Sequence, residues 1–338
     1  MRGISLLLVT ALSGVELTNA ASFTSSVFAT GSAVGGTAPD SITYGNGSIW
    51  VEYGNGAASD GSSGSSTIVQ YSTNGSIVNT YTVGGSVDGL KYNPGTGMIW
   101  ALQNQDANST LTIINPITTT RTIYTYGAIY TSFSGRGFDD VAFLGGKTFL
   151  SFTNPTAPTD PVLVELGSLS TSSPLVTTSI MTGAGLLLTD PDSLKTTPTG
   201  GLIQTGEADG ALTFITDPGM AGQTAKSLQL KAGPGLTIGS PDDAIYPTAT
   251  SGTFYLTDTS ANTVYALAAT GLSTTTLYVN VGNVFGSVNT STGVVTPLFS
   301  GSGLHGIEFV PAVPEPSTCA FVFAGLAGIF WTVRKRRK

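Results

Sequence analysis

Five aspartates recur at nearly constant spacing, and each opens the same short pattern. The copies are Asp40-Ser-Ile-Thr-Tyr44, Asp88-Gly-Leu-Lys-Tyr92, Asp139-Asp-Val-Ala-Phe143, Asp192-Ser-Leu-Lys-Thr196 and Asp242-Asp-Ala-Ile-Tyr246. A sixth copy, His305-Gly-Ile-Glu-Phe309, carries histidine in place of aspartate, and the intervals are 48, 51, 53, 50 and 63 residues. Two chemistries suit such a series. Carboxylates gathered from separate segments can hold calcium or another hard cation, which takes several oxygen ligands. Asp242, Asp139 and Glu207 would then be candidates for a metal-assisted hydrolytic site. Alternatively, each Asp bonds backbone N–H groups of the turn leading into its own strand. The turn role is favoured, because it explains why every unit has one, and it leaves calcium little part in stability. His305 is the only histidine, so a Ser-His-Asp site would have to use it; as a repeat residue it reads as a turn or channel-mouth residue. No cysteine nucleophile, no His/Cys metal spacing and no phosphate-binding glycine loop is present, so no catalytic residue is assigned. Calcium at the Asp ring is the one cofactor candidate.

The elements that would carry these residues are short strands. Runs such as Ser48–Tyr53, Thr67–Tyr71, Ile77–Val83, Met98–Leu102 and Thr110–Ile114 alternate with Gly, Asn, Asp and Pro clusters, and no stretch shows sustained helical periodicity. That pattern predicts an all-β fold. A period near 50 residues with three or four strands per unit predicts a β-propeller spanning 22–312. Six blades are expected, closed by pairing a strand near Phe23–Ala29 with the C-terminal blade. Five blades are the alternative, with the 63-residue unit holding an insertion around Gly271–Gly282. Gly252-Thr-Phe-Tyr-Leu-Thr-Asp258 followed by Asn262-Thr-Val-Tyr265 resembles a blade of the NHL-type and gluconolactonase-like propellers, and implies the fold only.

The two ends are of another kind. Arg2, the apolar stretch Ile4 to Leu12 and the small residues before Ala21 have the order of a secretory signal peptide, residues 1–21. At the other end, 313–338, Val313-Pro314-Glu315-Pro316-Ser317-Thr318 precedes an uncharged apolar run from Cys319 to Val333 and the cluster Arg334-Lys335-Arg336-Arg337-Lys338. Prolines 314 and 316 keep their segment extended, the run is just long enough to cross a bilayer, and the five cations hold that end in the cytoplasm. These residues resemble the sorting signal of the PEP-CTERM proteins of Gram-negative bacteria. The resemblance implies recognition by an exosortase, tethering in the inner membrane through a C-terminal transmembrane helix, and then release to the cell surface or extracellular matrix.

The only cysteine is Cys319, so the exported body forms no disulfide. Without Arg2, Glu16, Glu315 and the tail cations, residues 21–313 keep 7 Lys and Arg against 18 Asp and Glu, a net charge of −11. Nucleic acid is thereby disfavoured as a partner, and an extracellular polysaccharide is a candidate. The expected role is a binding or structural module. The competing expectation is a secreted hydrolase or lactonase working at the channel mouth.

Overall fold

A computed structural model describes residues 21–127, 136–233, 237 and 239–313. The signal peptide (residues 1–20 of it), the motif Pro314, Glu315 and Pro316, the apolar run and the cations Arg334, Lys335, Arg336, Arg337 and Lys338 lie outside the described residues. Among the described residues no helix is long and apolar enough to cross a membrane.

The described residues form six sheets, antiparallel except where Lys231 and Ala232 pair in parallel with Val294 and Val295, and these are the blades of a β-propeller, so the five-blade alternative is set aside. It opens with β1 (Ser22–Thr30). Blade 1 follows as β2 (Pro39–Gly45), β3 (Ser48–Tyr53), β4 (Ser65–Ser72) and β5 (Ile77–Gly84). Blade 2 is β6 (Val87–Asn93), β7 (Met98–Gln103), β8 (Thr110–Ile114) and β9 (Arg121–Thr125). Blade 3 is β10 (Phe138–Leu144), β11 (Lys147–Phe152), β12 (Pro161–Leu166) and β13 (Thr177–Thr182). Blade 4 is β14 (Pro191–Thr196), β15 (Leu202–Gly206), β16 (Ala211–Thr216) and β17 (Thr224–Gln229).

The tight hairpins obey local turn chemistry. Asn46 and Gly47 join β2 to β3 with φ of 52° and 74°. Both central residues of such a two-residue turn need positive φ, which Asn and Gly supply.

The last two blades are interleaved. The remaining strands are β18 (Lys231–Ala232), β19 (Pro241–Ile245), β20 (Ser251–Asp258), β21 (Thr263–Thr270), β22 (Leu277–Val281), β23 (Val284–Val288), β24 (Val294–Ser300) and β25 (Leu304–Pro311). Blade 5 runs β19-β22-β23-β24-β18, and blade 6 runs β25-β20-β21-β1. The motif strand β19 therefore pairs not with the Gly252–Leu256 strand that follows it but with β22, Ala244 lying opposite Val279. That following strand, β20, pairs instead with β25, Leu256 opposite Ile307. The 63-residue interval holds this exchange of a hairpin between neighbours, and the expected insertion near Gly271–Gly282 contains strand β22. Blade 6 takes its outermost strand from the N-terminus, Phe23 opposite Ala269, and its innermost from the C-terminal end of the described chain. The two ends of the described chain thus meet in one sheet, which closes the ring of blades.

The cores lie between blades. Six buried apolar clusters occupy the six interfaces; one joins Trp50, Ile68 and Tyr81 of blade 1 to Leu90, Ile99 and Ile114 of blade 2, and another joins Val51 and Tyr71 of blade 1 to Tyr255 and Val264 of blade 6. Every residue of β3 is buried. A strand covered on both faces loses the in-and-out alternation, which is why Ser48–Tyr53 reads as a continuous run.

Candidate functional site

The site begins with a backbone irregularity used six times. In every blade the innermost strand carries one extra residue between two pairings. Pro39 faces Tyr53 and Ile42 faces Val51; Val87 and Leu90, Phe138 and Val141, Pro191 and Leu194, Pro241 and Ala244, and Leu304 and Ile307 bracket the same shift. A bulge of this kind bends the strand and re-aims side chains. The two residues inside it are the first and second of the repeat, and all six first residues, Asp40, Asp88, Asp139, Asp192, Asp242 and His305, line one cavity of about 250 Å³ at a mouth of the channel. Glu207, Asp190 and Asp106 stand on its wall.

The turn-capping expectation is corrected by what these carboxylates touch. Asp40 and Asp242 bond His305, whose Nδ1 lies 3.1 Å from Asp40 Oδ1 and 2.9 Å from Asp242 Oδ1. Asp88 accepts from Gln105 Nε2 at 3.2 Å, and the Asp139 carboxyl is hydrogen-bonded to Thr153 and Asp88. The bulge turns the first side chain away from its own backbone and into the channel, so its partners come from other segments.

Crowding like charges in a recess changes their acidity. Burial first, then mutual repulsion, raises Asp88 and Asp192 well above the ordinary carboxylate range. Burial also raises Asp139, although its bond to Thr153 opposes the rise. Asp242 is pushed up to about 6, burial outweighing the pull of His305. Glu207 reaches about 7 through burial and the charges of Asp242 and Asp190. For His305 burial opposes the charged ring, yet Asp242 and Asp40 together overcome it and push the ring up to about 12. The two carboxylates on Nδ1 thus favour the protonated imidazole.

The second residues of the repeat do the capping, but across blades. Asp243 Oδ2 accepts from Ile307 N at 2.7 Å and Lys195 Nζ at 2.9 Å, while Oδ1 accepts from Ala244 N at 2.7 Å and from the Ser193 hydroxyl. Asp140 Oδ2 likewise accepts from Leu194 N of the next blade at 2.9 Å and Lys91 Nζ at 3.0 Å. Ser41 donates to the carbonyl of Asp88. Where the second residue is Gly89 or Gly306, a Cβ would collide with the carbonyl oxygen of Asp139 or Asp40. The next strand of the blade adds a parallel set: Thr205, Asn280 and Thr257 donate to the carbonyls of Asp242, His305 and Asp40. Sequence reasoning passed over Asp140, Asp243, Lys91 and Lys195. The signal was the Asp-Asp doublets and the two lysines at the fourth repeat position.

As a cation site the mouth has suitable donors. One ligand atom each from Asp40, Asp242 and His305 lies within 4.8 Å of the others. Hard carboxylate oxygens match calcium or magnesium. His305 stands in this group as the hydrogen-bond partner of both aspartates, and Asp88, Asp139 and Asp192 line the same cavity.

No protein family and no curated protein matches the chain. Solved structures do. A candidate gluconolactonase is similar over 84% of this chain and 84% of its own, with a TM-score of 0.52 and 10% identity. A protein of unknown function from Bacteroides caccae covers 81% and 87%, at a TM-score of 0.49 and 9% identity. Virginiamycin B lyase from Staphylococcus aureus covers 88% and 90%, at 0.44 and 11%. At such identities the likeness concerns the fold alone.

Proposed function

We propose that this chain is an exported β-propeller serving as a binding module at the cell surface or in the extracellular matrix, with the acidic mouth as a site for a hard divalent cation such as calcium. The observation that carries the reading is the six bulges aiming five carboxylates and one imidazolium into a single cavity. Lys91 and Lys195 are engaged by Asp140 and Asp243, so His305 alone offsets the first-position acids. Acids with raised pKa release protons when a cation displaces them. Calorimetric titration of calcium into the full chain, in buffers of different ionisation enthalpy, tests this. Saturable binding with proton release, lost in the double substitution Asp88→Asn/Asp139→Asn, is expected; no binding, or binding the double substitution leaves intact, overturns it.

Export rests on the two terminal segments. The Pro314-Glu315-Pro316 motif, the apolar run and the five cations make sense together as an exosortase signal that brings the chain to the inner membrane and is then removed. Intact-mass measurement on protein from the native surface should find Pro314–Lys338 missing; a retained cationic tail counts against the route.

One observation favours a second reading, a hydrolase or lactonase. Glu207, on the cavity wall, is pushed up to about 7, where a carboxyl exchanges protons best at neutral pH. His305 is unsuited to act as the base because it keeps its proton. Lactone hydrolysis abolished by Glu207→Gln but retained by His305→Gln would support the enzyme.

A further inference from the structure

The other end of the channel has a different chemistry, set by the fourth and fifth repeat residues. Four fifth residues, Tyr44, Tyr92, Phe143 and Tyr246, come from four blades and line a second cavity of about 620 Å³. That volume lies within the roughly 300–1,000 Å³ of small-molecule sites. All four rings are half-exposed, whereas Phe309, the same residue of blade 6, is buried among core aromatics.

The rings are held in place. Tyr92 packs so closely on Gly45 of the neighbouring blade that no side chain would fit there, and its backbone N–H donates to Thr43 Oγ1 at 3.1 Å. Phe143 meets Trp100 edge-on at 5.0 Å between ring centres. Pro94, Pro198 and Pro247 lie on the rim, and their locked φ stiffens it. A wall already ordered costs little conformational entropy when a ligand arrives.

The floor supplies polar groups of both kinds. Lys91 and Lys195 reach it with their charges matched by Asp140 and Asp243. Glu308 shares it and has no ion pair within 4.0 Å among the described residues; Oε1 accepts only from the neighbouring Phe309 N at 3.2 Å. A simple anion meets Glu308 there, and the ion-paired lysines leave it no free positive charge to bind. A neutral molecule with many hydroxyls can accept from the lysines, donate to Glu308 and lay its C–H faces on the rings.

We propose that this second mouth is a carbohydrate-binding site, taking one or two units of a neutral polysaccharide. It deepens the surface-module reading by giving a matrix polysaccharide a place to dock, and it does not depend on the cation at the opposite mouth. Saturation-transfer NMR on the folded full chain, with cellobiose, maltose and lactose as probes and tetramethylammonium as the rival, tests it. At least one disaccharide should bind saturably. Tyr246→Ala and Tyr44→Ala should each weaken that binding about tenfold or more, about 1.4 kcal/mol, and Glu308→Gln should weaken it severalfold while keeping the side-chain shape. EDTA and Asp88→Asn/Asp139→Asn should leave it unchanged, which separates a failure here from a failure of the cation reading. No saturable binding of any disaccharide, binding indifferent to all three mouth substitutions, or preference for tetramethylammonium would overturn the proposal.

Discussion

Glu52 offers the sharpest test of how the blades are joined. Its side chain has no solvent exposure, and neither carboxylate oxygen has a hydrogen-bond partner among the described residues. Burial first and the charge of Asp40 second raise its pKa well above 4.5, the nearby Ser66 hydroxyl, outside normal hydrogen-bond geometry, offsetting only part. It follows Val51, which faces Ile42. The matching positions in blades 4, 5 and 6 are Thr205, Asn280 and Thr257, which donate to a backbone carbonyl of the adjoining blade. Glu52 makes no such bond, and a fully buried carboxyl without a partner is far cheaper to hold protonated than charged. The folded state therefore binds a proton that the unfolded chain releases above about pH 4.5, and stability falls as pH rises, by about 1.4 kcal/mol for each pH unit up to the folded pKa. Glu52→Gln has nearly the same shape, a permanent donor and no charge to bury. The substitution should leave stability within about 0.5 kcal/mol of the parent at pH 4, and the gain over the parent should then grow with pH until the folded pKa of Glu52 is reached. Urea unfolding of the full chain and of the variant, followed by tryptophan fluorescence at several pH values, measures the difference, and the other acids cancel between the two. A constant difference across pH, or a variant less stable at pH 8, would refute a neutral Glu52.

Asp243→Ala should destabilise the propeller by about 3–5 kcal/mol in the same assay, because it leaves buried Lys195 without its counter-ion. Gly306→Ala should cost about 1–3 kcal/mol by thermal unfolding, its Cβ lying 2.6 Å from the Asp40 carbonyl oxygen unless the strands move apart. Calcium affinity at the acidic mouth should fall as pH drops below about 7 and then 6, where Glu207 and Asp242 take up protons that compete with the ion; titrations at pH 8 and pH 5 with equal affinity would exclude both groups from the site.

The sequence by itself determined the propeller. The repeat from Asp40 to His305, the strand runs between Gly- and Asn-rich turns, and the need of a small sheet to cover two faces are local or periodic properties, and they predict six blades with Phe23–Ala29 closing the last. Which hairpin belongs to which blade was decided only in three dimensions. Gly252–Asp258 has the pattern of any middle strand, apolar on both faces, and pattern alone cannot distinguish β19 from β25 as its partner; the pairing of both chain ends within blade 6 does. The direction of the aspartates was likewise beyond the sequence. Read along a regular strand, successive residues point to opposite faces, so Asp139 and Asp140, or Asp242 and Asp243, could not both reach the axis. The one-residue bulge brings both there. It gives the first acid to the cavity and the second to the neighbouring blade, a division of roles that depends on backbone register and leaves no separate mark in the residue types.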